Sequence, residues 1–217
     1  MNIYPKIEQT LLAVELAINH IPSERIDLLD QFARYIVDKR IKGLPVNLIF
    51  ICTHNSRRSH LTQIWAKFFA SFYDVEEVFC FSGGTEATAF NPRAVNCLKE
   101  QGFIITSEID DANPVYSVAF SDEREPVHCF SKVYDHPENP VKDFAAVMTC
   151  SDADETCPFI PGAEKRFPVR YEDPKKFDDT PLESEKYYEK SIQIASEMSY
   201  LFSKSATLIS GNNQGKI

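Results

Sequence analysis

The residues with the clearest chemistry lie around Cys52, which follows an apolar run of strand length, Val46–Ile51. Five residues separate this cysteine from Arg58, and Ser59 comes next. The pattern predicts a loop that leads from the strand into a helix over residues 59–73, with free backbone N–H groups and the positive helix end facing the sulfur. A tetrahedral oxyanion bound there would contact backbone donors, a bidentate arginine and a thiolate together. We therefore predict that Cys52 is a nucleophile, since the helix end and Arg58 both favour the thiolate.

The other residues of the loop suit an anion-binding site. Ser59 is expected to give its hydroxyl to the thiolate, and Asn55 tolerates a left-handed backbone. His54 either fills the outer side of the loop or acts in catalysis, and Arg57 is either part of the anion site or a solvated charge. A plain core cysteine is the simpler alternative, which these polar neighbours disfavour. The predicted anion-binding residues are Thr53, His54, Asn55, Ser56, Arg57 and Ser59.

Composition excludes several classes of function. A length of 217 residues with 43% hydrophobic and 25% charged residues suits one α/β domain with additions. The net charge of −9 and the lack of a Lys/Arg cluster argue against a nucleic-acid partner. No apolar stretch approaches the ~18 residues that a membrane span needs. The beginning of the sequence does not resemble a signal peptide, so six cysteines indicate free thiols in the reducing cytoplasm.

Strand and helix patterns alternate through most of the chain. Apolar runs at 46–51, 75–82 and 144–149 predict strands, and helical spacing is found at 91–101 and from Glu183 to about Phe202. This alternation predicts an α/β fold with a parallel sheet and helices on both faces. Ligands of such sheets bind beyond the carboxyl ends of the strands, where both Cys52 and Cys150 fall.

Three segments are expected to extend this body, which we assign to residues 45–205. Residues 1–44 predict a helical hairpin whose second helix has Ser23 as its N-cap. An apparent insertion near 113–140 alternates apolar and polar residues at 115–120 and 127–134, as in a β-hairpin. Residues 206–217 are polar at their end and are expected to be disordered.

Several motifs resemble one known family. The segment Cys52–Ser59 resembles the Cys-x5-Arg-Ser loop of low-molecular-weight protein-tyrosine phosphatases, and more closely that of the thioredoxin-coupled arsenate reductases, which share their fold. Cys150–Pro158 resembles the redox-cysteine segment of those reductases, and Tyr171–Pro174 resembles their acidic Asp-Pro loop. The likeness runs from about residue 46 to 204 and implies a four-stranded parallel sheet.

For a reductase, the resemblance implies a relay of three thiols. Arsenate would add to Cys52, Cys150 would attack the Cys52 sulfur and expel arsenite, and Cys157 would then attack Cys150. Thioredoxin would be the electron donor for the resulting disulfide, with no bound cofactor and no metal, and Asp173 would move a proton. Some of these reductases hold a potassium ion with an acidic residue at the position of Gln63, so that part of the resemblance is missing.

Two alternatives remain open. A phosphatase would need only Cys52, Arg58 and Asp173, with phosphotyrosine as substrate and a cysteinyl-phosphate intermediate. A non-catalytic phosphate-binding or redox-sensing module would keep the loop alone. We favour the reductase, because paired cysteines so placed have no structural task in a reducing cytoplasm.

The spacing of the second cysteine pair has a geometric consequence. On a helix, Cys150 and Cys157 would lie about 10.5 Å apart along the axis. A disulfide needs Cα atoms roughly 4.4–6.8 Å apart. The segment between them must therefore unwind on oxidation, which its Ser, Asp and Thr residues make easier.

Overall fold

The computed structural model describes residues 1–107, 111–157 and 159–214. A single-turn 3-10 helix lies at Pro174–Phe177. The other elements, in chain order, are α1 Pro5–Ile18, α2 Ser23–Ile41, β1 Val46–Cys52, α3 Arg58–Phe72, β2 Val78–Gly84, α4 Pro92–Glu100, β3 Ile104–Ser107, β4 Tyr116–Ala119, β5 Val127–Cys129, β6 Phe144–Met148, α5 Ser151–Thr156, β7 Ala163–Phe167 and α6 Glu183–Gln214.

The central sheet has four parallel strands in the order β2-β1-β6-β7. This confirms the predicted α/β fold with a parallel four-stranded sheet. In the register of the sheet, Ile51 of β1 lies beside Met148 of β6. The next residue of β1 is Cys52, and Cys150 follows two residues after Met148. Both cysteines therefore lie at the carboxyl edge of the sheet, as the sequence predicted.

Two apolar cores lie on opposite faces of this sheet. Alternate residues of β1 divide between them, because side chains of a strand point to opposite sides in turn. Leu48 and Phe50 belong to the larger core, which the five long helices cover. Ile49 and Ile51 belong to the smaller one, where Cys52 and Cys150 pack near α5. Helices thus flank both faces, but unequally.

The N-terminal helical hairpin is present and packs mainly on α6. Phe32 of α2 is fully buried and stacks on Phe167 of β7, with ring centroids 4.3 Å apart. The predicted N-cap is wrong: Pro22 occupies that position, and Ser23 is the first helical residue, without a capping side-chain bond. Proline fixes an extended backbone before the helix, so the start of α2 does not depend on a serine cap.

The insertion contributes β4 and β5, which pair in antiparallel fashion as predicted. β3 adds a third strand to this small sheet. The second predicted strand, 127–134, is too long, because β5 ends at Cys129. Beyond it, Val133 forms an isolated parallel bridge with Gly84 of the central sheet. The backbone after Cys129 therefore turns to the carboxyl edge of the main sheet.

The last helix is longer than the sequence indicated. α6 continues to Gln214, so the prediction of a helix end near 202 and of a disordered tail is wrong for residues 206–214. Ala206 and Ile209 pack against the larger core, and this burial stabilises the added turns. Residues 215–217 lie outside the described residues. Among the helices of the described ranges, none is both long and apolar enough to cross a bilayer.

Candidate active site

The Cys52 thiol lies at the end of β1 and is buried. Its Sγ lies 3.1 Å from the hydroxyl of Ser59. The same hydroxyl oxygen accepts a hydrogen bond of 2.9 Å from the side-chain amide of Asn55. Because Asn55 donates to that oxygen, the Ser59 proton is free to point at the sulfur. The Ser59 hydroxyl is therefore placed to donate a hydrogen bond to the Cys52 sulfur.

The loop after Cys52 has a backbone that leaves its N–H groups available. Asn55 adopts a left-handed conformation with φ 44°, as its residue type allows. Gly84 packs directly beneath, where an added Cβ would lie 2.7 Å from the Asn55 nitrogen. Within the described residues, no acceptor is bonded to the backbone N–H groups of Thr53–Arg57. Such a row of free donors is suited to a tetrahedral anion.

Arg58 begins α3 and reaches across to the Tyr171–Asp173 segment. Its Nη1 donates to the Tyr171 carbonyl at 3.1 Å, and its Nη2 donates to the Asp173 carboxylate at 2.7 Å. Its Nε is buried and has no hydrogen-bond partner among the described residues. A buried donor without a partner is costly, and an oxyanion in the loop would satisfy it.

Asp173 is held where it faces the loop. It is the N-cap of the 3-10 helix and accepts a hydrogen bond of 3.0 Å from the Lys175 backbone. Its other oxygen bonds Arg58, and 29% of its side chain stays exposed. A carboxyl group so placed can exchange a proton with water and with a group bound at the loop. The structure thus brings Cys52, Arg58 and Asp173 to one site.

Arg57 faces away from solvent, so its interpretation as a solvated charge is wrong. Its Nε donates to the Tyr187 hydroxyl at 2.8 Å, and Asp178 lies 3.4 Å from its Nη2. Asp178 also accepts from that hydroxyl at 2.9 Å. The side chain of Arg57 therefore ties the loop to α6.

The remaining loop side chains have different surroundings. The hydroxyl of Thr53 lies 3.5 Å from Cys150 Sγ. The imidazole of His54 is half exposed and lies 3.2 Å from Glu86, on the outer side of the loop. Ser56 is buried, and its carbonyl accepts from the Asn91 backbone.

Cys150 and Cys157 flank α5 at its two ends. Cys150 is the N-cap, fully buried, and its sulfur accepts from the Ala153 N–H at 3.4 Å. Cys157 is the C-cap and is partly exposed. All six cysteines are free thiols, and six helical residues stand between these two. Because an intact helix separates the ends of such a segment by about 10 Å, a disulfide here requires α5 to unwind. Pro158, the last residue of the redox motif, lies outside the described residues.

A buried carboxylate holds α5 in its helical form. Asp154 has 1% of its side chain exposed and forms ion pairs with Arg166, at 2.5 Å, and with Arg170. Arg166 also donates to the Cys157 carbonyl at 3.1 Å. These arginines come from β7 and from the loop after it. Unwinding of α5 would disturb the bonds that both arginines make.

The insertion supplies contacts that sequence reasoning missed. The backbone N–H of Lys132 donates to the Asn55 side chain at 2.8 Å, and the Ser131 hydroxyl donates to the His54 carbonyl at 3.0 Å. The isolated parallel bridge between Val133 and Gly84 positions this segment beside the loop. No spacing rule joins these residues, since 77 positions separate each pair.

The position of Gln63 is filled by internal bonds. Its amide donates to the Cys80 carbonyl at 3.1 Å and accepts from the Cys129 thiol at 3.8 Å. The neighbouring His60 is fully buried. Burial, and then the nearby charge of Lys132, lower the pKa of His60 to about 3. The region around Gln63 and His60 is therefore already close to the positive charge of Lys132.

The three other cysteines belong to the protein interior. Burial raises the pKa of the Cys80, Cys97 and Cys129 thiols to about 12. At neutral pH they stay protonated and unreactive.

Sequence comparison finds relatives with named activities. Over 130 residues, which cover 58% of this chain and 77% of the relative, the chain is 32% identical to arsenate reductase 2 of Staphylococcus epidermidis. It is 31% identical over 129 residues to an arsenate reductase of Staphylococcus aureus strain Newman, with the same shares covered. No protein-family model matches the chain.

The solved structures that the comparison finds are less similar in sequence than the arsenate reductases above. A low-molecular-weight phosphotyrosine phosphatase of Vibrio cholerae is 15% identical with a TM-score of 0.48, covering 78% of this chain and 99% of its own. An arsenate reductase in the phosphate-binding state is 16% identical with a TM-score of 0.44, covering 73% of this chain and 98% of its own.

Proposed function

Because the chain belongs to the family of arsenate reductases and low-molecular-weight protein-tyrosine phosphatases, we propose that it reduces arsenate through a relay of three cysteines that thioredoxin regenerates. It is an enzyme of one of these two types, and its substrate is accordingly an oxyanion or a phosphotyrosine. The observation that carries the choice of a reductase is the position of Cys150, whose sulfur lies 3.5 Å from the hydroxyl of Thr53, the neighbour of the nucleophile.

The first step is attack of the Cys52 thiolate on arsenate. The arsenic–sulfur bond forms as one arsenate oxygen leaves, protonated, as water or hydroxide. The loop N–H groups and Arg58 hold the remaining oxygens, and their bonds strengthen as negative charge gathers there. Asp173 supplies the proton that the departing oxygen needs.

The second step reduces arsenic. The Cys150 thiolate attacks Cys52 Sγ, a disulfide forms between the two sulfurs, and the electron pair of the arsenic–sulfur bond passes to arsenic. Arsenic(V) becomes arsenic(III), and arsenite departs. Cys52 and Cys150 both belong to the smaller core, away from solvent, and Cys150 Sγ lies 3.5 Å from the hydroxyl of Thr53, so their common location supports this transfer.

The third step moves the disulfide to the surface. Cys157 attacks Cys150, the Cys52 thiolate leaves, and α5 unwinds so that the two sulfurs can meet. Two thiols of thioredoxin then reduce the Cys150–Cys157 disulfide and become oxidised themselves. The partial exposure of Cys157 supports access by such a partner, and the reducing cytoplasm is the compartment where this cycle runs.

We also propose that this site works without a potassium ion. Gln63 offers a neutral amide already used in two hydrogen bonds, and the buried Lys132 brings a positive charge to the same region. A change from potassium to sodium chloride at constant ionic strength is expected to leave the arsenate KM unchanged. A KM that falls several-fold in potassium alone would contradict this.

A phosphatase is the second candidate, favoured by the contact between Arg58 and the part-exposed Asp173 carboxylate. Paired assays on the wild type distinguish the two. One contains arsenate, thioredoxin, thioredoxin reductase and NADPH, and the other contains para-nitrophenyl phosphate. We expect repeated arsenate turnover in the first assay and weak hydrolysis in the second. Efficient hydrolysis with no arsenate-dependent NADPH oxidation would replace the reductase by the phosphatase.

A further inference from the structure

Arg25 of the N-terminal helical hairpin contacts the segment that bonds Arg58. Arg25, in the first turn of α2, donates from Nη2 to the Arg170 carbonyl at 2.5 Å. Its guanidinium also lies over the Tyr171 ring, 5.4 Å from the ring centroid. Its Nε lies 3.5 Å from the Glu197 carboxylate of α6. One side chain therefore contacts the backbone of one residue, the ring of the next, and a carboxylate.

The Glu197 carboxylate completes this connection from the other side. It is 1% exposed and accepts a hydrogen bond of 2.8 Å from the Tyr171 hydroxyl. Burial raises the pKa of Glu197, and the positive charge of Arg25 opposes that rise. Arg25 and Glu197 together thus fix both the backbone before Tyr171 and the far end of its side chain.

The segment they hold is the one that faces the anion loop. The Tyr171 carbonyl is the acceptor for Arg58 Nη1, and Asp173, two residues on, is the acceptor for Nη2. These two bonds determine where the guanidinium of Arg58 points. A displacement of the segment by a fraction of an ångström would therefore move the Arg58 guanidinium relative to the loop N–H groups.

We propose that Arg25 is a positioning residue of the oxyanion site, through which the N-terminal hairpin holds the segment 170–173 and so aims Arg58 at the bound anion. This proposal rests on the proposed function only in taking the Cys52 loop to bind an oxyanion. It gives the hairpin a role in the site beyond the burial of apolar surface. The contact is made by a residue that itself touches neither the anion nor Cys52.

Three variants test this role. Arg25→Ala removes every contact, and Arg25→Lys keeps a positive charge beside Glu197 but cannot bond Glu197 and the Arg170 carbonyl with one planar group. Lys39→Ala is the matched control on the same helix, because Lys39 pairs with Glu164 at 2.7 Å and its side chain is similarly buried. The probe is inorganic phosphate, measured by titration calorimetry, with Tm recorded for each variant.

Phosphate affinity and Tm should not change in parallel across these three variants. We expect Arg25→Ala to weaken phosphate binding on the order of tenfold and to lower Tm. Arg25→Lys should recover most of the Tm but little of the affinity, because stability follows the charge and affinity follows the geometry. Lys39→Ala should lower Tm and leave affinity within about twofold of wild type.

Two results would overturn the proposal. In the first, phosphate affinity is unchanged in Arg25→Ala. In the second, phosphate affinity falls as much in Lys39→Ala as in Arg25→Ala, and the fall follows the decrease in Tm. Either outcome would reduce Arg25 to a contact that serves stability alone. A wild type that does not bind phosphate at all would overturn it as well. A wild type that binds phosphate, with the expected pattern of variants, but does not turn over arsenate would remove the reductase and leave this inference standing.

Discussion

The loop that carries Cys52 and the segment that carries Cys150 and Cys157 both follow central strands, but different contacts hold them. Hydrogen bonds of the Asn55 side chain hold the loop, one to Ser59 within it and one from the backbone of Lys132 outside it. The redox segment is a helix of six residues, held by ion pairs to Asp154 and by burial of Ala153 in the smaller core.

This difference matches two different tasks. An anion cradle must keep its donors in place while charge develops, since preorganised groups cost no reorganisation during the reaction. A pair of cysteines at the ends of a helix must come together, so their support has to break at small cost. Asp154 is buried, but the arginines that pair with it are partly exposed, so the pairs can be exchanged for water once α5 unwinds and exposes the carboxylate.

The largest effect is expected from the nucleophile. Cys52→Ser should abolish both arsenate reduction and phosphate-ester hydrolysis, because a hydroxyl is not ionised at neutral pH. Arg58→Lys should come close to this loss, since an ammonium cannot donate in the planar, two-point manner of a guanidinium. Steady-state assays of both activities measure it. Activity near the wild-type level in Cys52→Ser would move the nucleophile elsewhere.

Loss of the Cys150 or Cys157 thiol should distinguish the function of the redox segment from that of the loop. Cys150→Ser and Cys157→Ser should each stop thioredoxin-coupled turnover and leave hydrolysis of para-nitrophenyl phosphate largely intact. Cys150→Ser should stall before arsenite release. Cys157→Ser should release one arsenite and accumulate a Cys52–Cys150 disulfide, visible by peptide mass mapping.

Cys80→Ala is the control for this experiment, because burial raises the pKa of the Cys80 thiol to about 12 and removes it from the chemistry. It should keep both activities. Full thioredoxin-linked turnover in Cys150→Ser and in Cys157→Ser would show that the two regions do not work in series.

Asp173→Asn should have a smaller effect that is confined to proton transfer. We expect turnover of phenyl phosphate, a substrate with a poor leaving group, to fall by roughly 10²–10⁴-fold, the usual contribution of general acid–base catalysis. Glu172→Gln is the matched control, since the neighbouring carboxylate is exposed and accepts a hydrogen bond of 2.9 Å from Lys176 on the same surface. If the control lost activity and Asp173→Asn kept it, the proton would pass through Glu172.

The smallest effect should come from loosening α5. Asp154→Asn keeps the size of the side chain but removes its charge, and should lower the free energy of unfolding of the reduced protein by about 1–3 kcal/mol. Formation of the Cys150–Cys157 disulfide by an added oxidant should become faster. Stopped oxidation followed by thiol labelling measures this rate. Asp152→Asn, an exposed position on the same helix, should change neither quantity.

Most of the sheet and the core of the site could be predicted because their determinants are local. Cys52, Asn55, Arg58 and Ser59 lie within eight consecutive residues, so the strand-to-helix turn is enough to bring them together. The strands were found with errors of a few residues, as at β2, which begins at Val78 rather than near residue 75. Asp173, Cys150 and Cys157 were found through resemblance to a family, since nothing local connects them to the loop.

Other parts could not be predicted because they depend on contacts between distant segments. The Arg57–Tyr187 hydrogen bond spans 130 positions, and it changes Arg57 from a candidate surface charge into a buried tie. The extension of α6 beyond residue 202 depends on burial of Ile209 against the larger core. The first contact leaves no pattern in the sequence around Arg57, whereas Phe202, Ala206 and Ile209 do recur at helical spacing, and the prediction of a helix end near residue 202 overlooked them.

The sequence by itself determined the identity and order of the reactive groups: a thiol at a strand end, an arginine one loop later, two further thiols and an acid. These follow from residue type and short spacing, where backbone geometry leaves few choices. Only the tertiary structure decided how those groups are held. Arg25, Glu197 and Lys132 reach the site from elements far apart in the chain, because packing of the hairpin, α6 and the insertion on one sheet brings them there.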